Sequence, residues 1–465
     1  MNKQMPFSKG IFCLVVVILV SLLFGAGASQ PQIVEAADES SAEAGQVCST
    51  QRVSSFANNT MPVPSACVDG FCKMVIYAND ISGAFDKGYS WDVYYYQWTS
   101  GNTWIGGPNF EIGGVSFSDG YGENGNGISE AVFGGGSYGD GYIRIMDDGP
   151  AENDPNLWTI ESMGDAELTS ATLTVCSIPG LVDYPNITSS QAIDMPAFCE
   201  DNLCMIFRFS FAEFGGMGQG LSMPVYYRQD SGTDLWIGGP NTSVNGIDYS
   251  AGAGDNGDGA GMTAIFGGGE TAQGGYAMLL DDGAEWSNAQ WSVYFNDADD
   301  MNSVYYWVAP MICSEIPITS TYTNISRPSY CLDEMCTIVK WTDAQFGIWG
   351  PGLSWPVNYK QNSSDNTWIG GPALCMGGAC FSQGRGTNGD TSADEIFDSG
   401  RTDPNEGYVV LRDDSVTAGE TTASWWNVVL NAQDDLTGAA YYLCSNACEE
   451  TILLVNKSFM PFTQH

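Results

Sequence analysis

The chain reads as all-β, built from three tandem antiparallel β-sandwich or jelly-roll-like domains with disulfide-stapled hairpins. Three observations predict this: one long segment is written three times, the periodicity inside each copy is two, and cysteine pairs recur in step with the repeat.

The repeat is clearest from Thr103, "TWIGGPNFEIGGVSFSDGYGENGNG", which returns as "LWIGGPNTSVNGIDYSAGAGDNGDG" from Leu235 and as "TWIGGPALCMGGACFSQGRGTNGD" from Thr367. Trp104, Trp236 and Trp368 stand 132 residues apart. A period of that length is a whole domain, because the units of roughly 20–50 residues found in solenoids cannot bury a core alone. "VCST", "VCSI", "ICSE" and "LCSN" mark the joins and place the β-domain repeats at 48–176, 177–313 and 314–448. Linkers are nearly absent, which predicts a semi-rigid rod of domains. Ahead of the repeats, Lys3 and Lys9 precede an apolar run over 11–24 and a small-residue cleavage pattern, so 1–28 reads as a signal peptide. Residues 29–47 read as a disordered leader and 449–465 as a C-terminal tail.

Within a copy, "WDVYYYQW", "GYIRIMDD", "GYAMLLDD" and "GYVVLRDD" set aromatic and branched residues between Gly- and Asp-rich turns. That is strand periodicity, and a unit of this size made of short strands closes as a sandwich.

In "CVDGFC", Asp69-Gly70 suits a two-residue hairpin turn, which sets Cys67 across from Cys72. The pairs Cys199/Cys204 and Cys331/Cys336 repeat the spacing, and Cys375/Cys380 adds a fourth. Exported chains keep such bonds. Pairing of Cys48, Cys176, Cys313, Cys444 and Cys448 is open, and the odd count after signal removal leaves a thiol for an intermolecular disulfide.

Charge excludes partners. Removing Lys3 and Lys9 leaves 13 basic against 55 acidic residues, a net of −42. Such a surface repels nucleic acid and anionic headgroups and attracts divalent cations. No segment is long and apolar enough to span a bilayer, so the chain is expected in the extracellular space or at the cell surface, with the periplasm as an alternative.

Chemistry is narrowed by a single histidine, His465. Ser-His-Asp or Cys-His catalysis has no base here, no organic cofactor is implied, and only a carboxylate pair could support hydrolysis. Two kinds of binding residue remain. Tyr95/Tyr227/Tyr359 and Gln97/Gln229/Gln361 recur just before Trp104/Trp236/Trp368, and flat rings beside amides suit sugars. The Gly-rich loops ending in Asn-Gly offer oxygen ligands for calcium at Asp255, Asn256, Asp258, Asn388 and Asp390. The strand-end acids Asp281-Asp282 and Asp413-Asp414, with Asp147-Asp148 in the first copy, would complete such a site if the fold brought them to the loop. A solvated hairpin turn is the commoner reason for such a loop, and a buried place in the sandwich core the default for the repeated Trp.

The expected function is therefore a secreted or cell-surface binding protein, adhesin-like and non-enzymatic, contacting an extracellular glycan or surface polymer with calcium as the candidate ion. A surface-layer, sheath or filament subunit is the alternative, and an Asp/Glu-dependent hydrolase the third reading.

Overall fold

The computed structural model describes residues 48–53, 59–80, 87–109, 111–112, 115–134, 142–148, 154–163, 168–211, 219–244, 247–257, 263–267, 276–281, 289–296, 301–344, 350–376, 379–390, 392–398, 407–413, 424–431 and 436–445. The signal segment, leader and tail lie outside these residues, as do Cys13, Cys448, Asp258, Asp282 and Asp414.

Strands dominate, and they fall into three repeated sets of antiparallel sheets. In the first repeat a seven-stranded sheet runs in the order Cys48–Val53, Ala171–Ser177, Phe71–Ala78, Val93–Trp98, Thr103–Gly107, Tyr121–Glu123, with Gly88–Tyr89 also paired to Phe71–Ala78. A four-stranded sheet, Ala131–Phe133, Tyr142–Met146, Leu157–Met163, Asn59–Pro62, lies across it. Trp158 of the small sheet meets Tyr95 of the large one edge to face at 5.1 Å, so the two sheets form a sandwich. The later repeats copy this with Trp291 on Tyr227 and Trp426 on Tyr359.

Disulfides join Cys67–Cys72, Cys199–Cys204 and Cys331–Cys336. Their setting differs from the expected two-strand hairpin. Cys67 ends a 3-10 turn, Ser65–Cys67, and Cys72 lies in the following strand. Asp69 takes φ 50° in the connection, and its carboxylate accepts bonds from the Thr99 N–H (3.0 Å) and hydroxyl (2.5 Å). Those bonds reach back from a residue 30 positions further along the chain and recur at Asp201 and Asp333, so they pin the connection to the end of a neighbouring strand. Two further disulfides, Cys48–Cys176 and Cys313–Cys444, tie the first strand of a repeat to its last. In the middle repeat the pairing of Val182 with Val308 puts Leu181 and Ala309 at the same place. Each of the five bonds lies within one group of sheets; Cys313, expected to close the second copy, opens the strand Cys313–Ile318 that pairs with Ala439–Cys444 in the third. Cys375 stands opposite Cys380 in a short ladder, and their side chains lie outside the described residues.

The rod is overturned. The repeats close on themselves: the first touches the second, the second the third, and the third returns to the first. Each seam is made alike. The strands Gly88–Tyr89, Gly220–Leu221 and Gly352–Leu353 press into the neighbour's Gly-Gly-Pro segment, where a Cβ on Gly107 would lie 2.1 Å from the Leu221 carbonyl oxygen, on Gly239 2.1 Å from that of Leu353, and on Gly371 2.3 Å from that of Tyr89. The alternate glycines beyond make the same approach, with a Cβ on Gly120 falling 1.8 Å from the Gln219 carbonyl oxygen. Backbone-to-backbone contact this close admits only glycine.

Closure covers the second face of each large sheet. Phe71 and Tyr94 of the first repeat pack on Phe207 at 5.1 and 4.5 Å, and Arg228 of the second repeat reaches Glu315 (2.6 Å) and Tyr442 (3.1 Å) of the third. Hence "CMIFRFS" is buried at every position and shows no alternation. At the meeting point Trp91 and Trp355 stand 5.0 Å apart, Trp91 also touches Phe381, and Tyr249 touches Trp355. Beside them Lys73 pairs with Asp92 at 3.5 Å and reaches Thr337 and Asn358 of the third repeat at 3.2 and 3.3 Å. Asn358 in turn donates to Asp92 at 2.7 Å, so the buried charges are paired and hydrogen-bonded.

Candidate binding surfaces

The repeated aromatic residues are core. Trp104 and Trp368 are 0 % exposed and Trp236 1 %, and Tyr95, Tyr227 and Tyr359 are equally buried. Gln97, Gln229 and Gln361 are buried beside them. Each Trp stacks on its Tyr, at 5.6, 5.7 and 5.9 Å. The Tyr95 hydroxyl donates to the Gln97 side-chain oxygen at 3.1 Å, Tyr227 to that of Gln229 at 3.3 Å and Tyr359 to that of Gln361 at 3.5 Å. Gln97 passes its amide to the Pro155 carbonyl. The expectation of sugar contact is thereby corrected for all nine residues: neither the rings nor the amides of Gln97, Gln229 and Gln361 face solvent. The Tyr-Gln-Trp set is a polar lock inside each sandwich, because a buried Tyr or Gln is held by hydrogen bonds.

The Gly-rich loop and the acid pair do meet, with a polarity opposite to a cation site. In the first repeat Asp148 accepts the Gly125 and Gly127 N–H groups at 2.5 and 3.0 Å, and Asp147 accepts the Glu130 N–H at 2.5 Å and the Trp104 indole at 3.3 Å. The loop turns amide hydrogens toward the acids, so Asp148 sits as the acceptor in a backbone nest. Asp281 and Asp413 repeat this with the Thr263 and Asp394 N–H groups. Asn124, Asn256 and Asn388 are buried in the turn, while Asp255 and Asp390 are exposed. Among the described residues no group of three or more His, Cys, Asp or Glu is placed to hold a metal.

Exposed rings occur elsewhere, on the faces of the four-stranded sheets that point away from the cores. Opposed residues in a ladder share a face and neighbours along a strand alternate. Because Trp426 points inward onto Tyr359, Trp425 and Asn427 point outward, and their partners Ser326 and Asn324 lie on the same face with Tyr322. Trp425 is 42 % and Tyr322 65 % exposed, and between them the Asn427 amide donates to Asn324 at 3.0 Å. Arg412, opposite Asn427, pairs with Glu395 at 3.1 Å. In the second repeat the outer face carries Tyr294, 43 % exposed and stacked parallel on Tyr276 at 5.8 Å, while Gln290 bonds Asp194. In the first, the Arg144 guanidinium lies over Tyr142 and near Glu161.

Whereas Tyr142 and Tyr276 hold a position that is Tyr in all three copies, Trp425, Tyr322 and Tyr294 escape a comparison of the copies because each occurs once. The signal that finds them is phase: in "QWSVYFN" and "WWNVVLN" a Tyr or Trp stands out of step with the inward Trp.

No family model and no curated protein matches the chain. Among solved structures, the LG1-3 region of the laminin α2 chain is similar at 9 % identity over 86 % of this chain and 96 % of that one, with a TM-score of 0.09, and the likeness carries no argument. The class defined by fold and surface is a disulfide-stapled, all-β triple-repeat scaffold with solvent-facing sheets of unlike composition. Among the described residues no helix is long and apolar enough to cross a membrane, and the disulfides are compatible with an extracellular location.

Proposed function

We propose that the chain is a non-enzymatic extracellular binding scaffold whose closed ring holds three different outward sheets in fixed positions, and that it contacts a neutral glycan or surface polymer through them. The observation that supports this is the strip of Trp425, Asn324 and Tyr322, where two exposed rings flank the exposed Asn324 amide, which the buried Asn427 holds in place. Rings four ladder positions apart on one face are about 13 Å from each other at ~3.3 Å per residue, a span that suits an extended oligosaccharide better than a single sugar. The excess of acid over base argues against polyanionic glycans. Three sheets on one rigid body would add avidity for a polymer.

Binding to immobilised neutral glycans tests it. Trp425→Ala with Tyr322→Ala is expected to weaken binding roughly 5- to 150-fold, at about 1–3 kcal/mol for lost ring contacts, while leaving the unfolding temperature nearly unchanged. No binding to any glycan, or binding indifferent to both rings, would discard the proposal.

A further inference from the structure

We propose that Glu130 and Asp147 share one bound proton at mildly acidic to neutral pH, making the end of the first repeat's Gly-rich loop a proton-binding site. Glu130 Oε2 is buried with no hydrogen-bond partner and lies beside the Trp104 indole nitrogen that donates to Asp147, and the backbones of Glu130 and Asp147 are also bonded to one another. Asp147 is 0 % exposed and already holds the Glu130 N–H and the Trp104 indole. Two carboxylates beside one indole nitrogen in a buried setting cannot both ionise cheaply, and a single proton on the pair supplies the missing donor.

Among the described residues no cation pairs with either acid. Asp119, Glu123 and Asp148 face Glu130. Gly122 makes the room, since a Cβ there would sit 1.8 Å from Glu130 Oε2. The other copies bear on the point. Thr263 and Asp394 stand where Glu130 does, each giving its N–H to the matching buried Asp281 or Asp413. One copy thus places a neutral hydroxyl residue at this position, and another places a second acid.

Burial pushes Asp147 up to about 7, opposed by the Glu130 N–H and reinforced by the charges of Asp148 and Glu130. Glu130 is raised as well, first by burial and then by Asp119 and Asp148. A folded-state pKa above the unfolded value of about 4 means that the stabilisation is complete below that value and is lost as pH rises to about 7. Above that the loss is complete.

The test compares the full chain with Glu130→Gln, which keeps the shape and gives Asp147 a permanent N–H donor. Between pH 5 and 7 the wild type should lose up to tenfold more in folding equilibrium per pH unit than the variant, read from denaturant unfolding. Infrared spectra of the folded wild type at pH 6 should contain a protonated-carboxyl band that is weaker in Glu130→Gln, where the acid partner is gone and burial still acts on Asp147. Glu130→Thr, copying the second repeat, is the substitute if Gln fails to fold. Equal pH slopes, or no such band in the wild type, would overturn the proposal. So would a stabilisation by added calcium that either variant abolishes, because the buried oxygen would then face a cation.

Discussion

At the residue scale, the side chains written three times are the ones each sandwich needs inside. Trp236 stacks on Tyr227 beneath Trp291, and its removal leaves a large void that the surrounding strands cannot fill. Trp236→Ala should cost about 3–5 kcal/mol, read as a lowered urea midpoint, and should not selectively remove binding at Trp425 and Tyr322. This explains what is legible in the sequence. Residues shared by the copies, Gln229 and Gln361 among them, report the core and the seams, because packing constrains all three alike. Residues that face solvent are free to differ, so Tyr294, Tyr322 and Trp425 leave no mark in the repeat and become visible only through the side of the strand they occupy. The spacing of the acids points to calcium because spacing says nothing about which way amide hydrogens turn.

At the scale of elements, strand periodicity and the cysteine step foretell the sheets and the three short-range disulfides. They do not foretell the 3-10 turn before each second cysteine, since a bond from Thr99 back across 30 residues to Asp69 is invisible to hydrophobic pattern. The first-to-last strand staple is readable only from the ladder, where Cys48 faces Cys176 and Cys313 faces Cys444. Leu181 and Ala309 mark its place in the middle repeat, on strands that already pair there. Leu181→Cys with Ala309→Cys should form a disulfide on air oxidation and raise stability by about 2–4 kcal/mol, measured by unfolding with and without reductant. Failure of the two thiols to join would show that the register there differs.

For the whole molecule, closure rests on features that no single copy displays. Gly107, Gly120 and their equivalents signal close backbone approach, but the approaching carbonyl belongs to another repeat. A rod and a ring therefore share one sequence pattern and differ only in whether the third copy meets the first. Small-angle scattering separates them: about 400 residues packed as one body should give a radius of gyration of roughly 21 Å, well below that of three domains in line. The ring also carries Lys73 and Asp92 once, where the other copies have Met205, Thr337, Pro224 and Pro356. Three identical chains around such an axis would have to bring three lysines and three aspartates to the same point. Joining the copies in one polypeptide releases the centre from symmetry, so that one ion pair can orient the repeats and each outer sheet can vary without altering the other two.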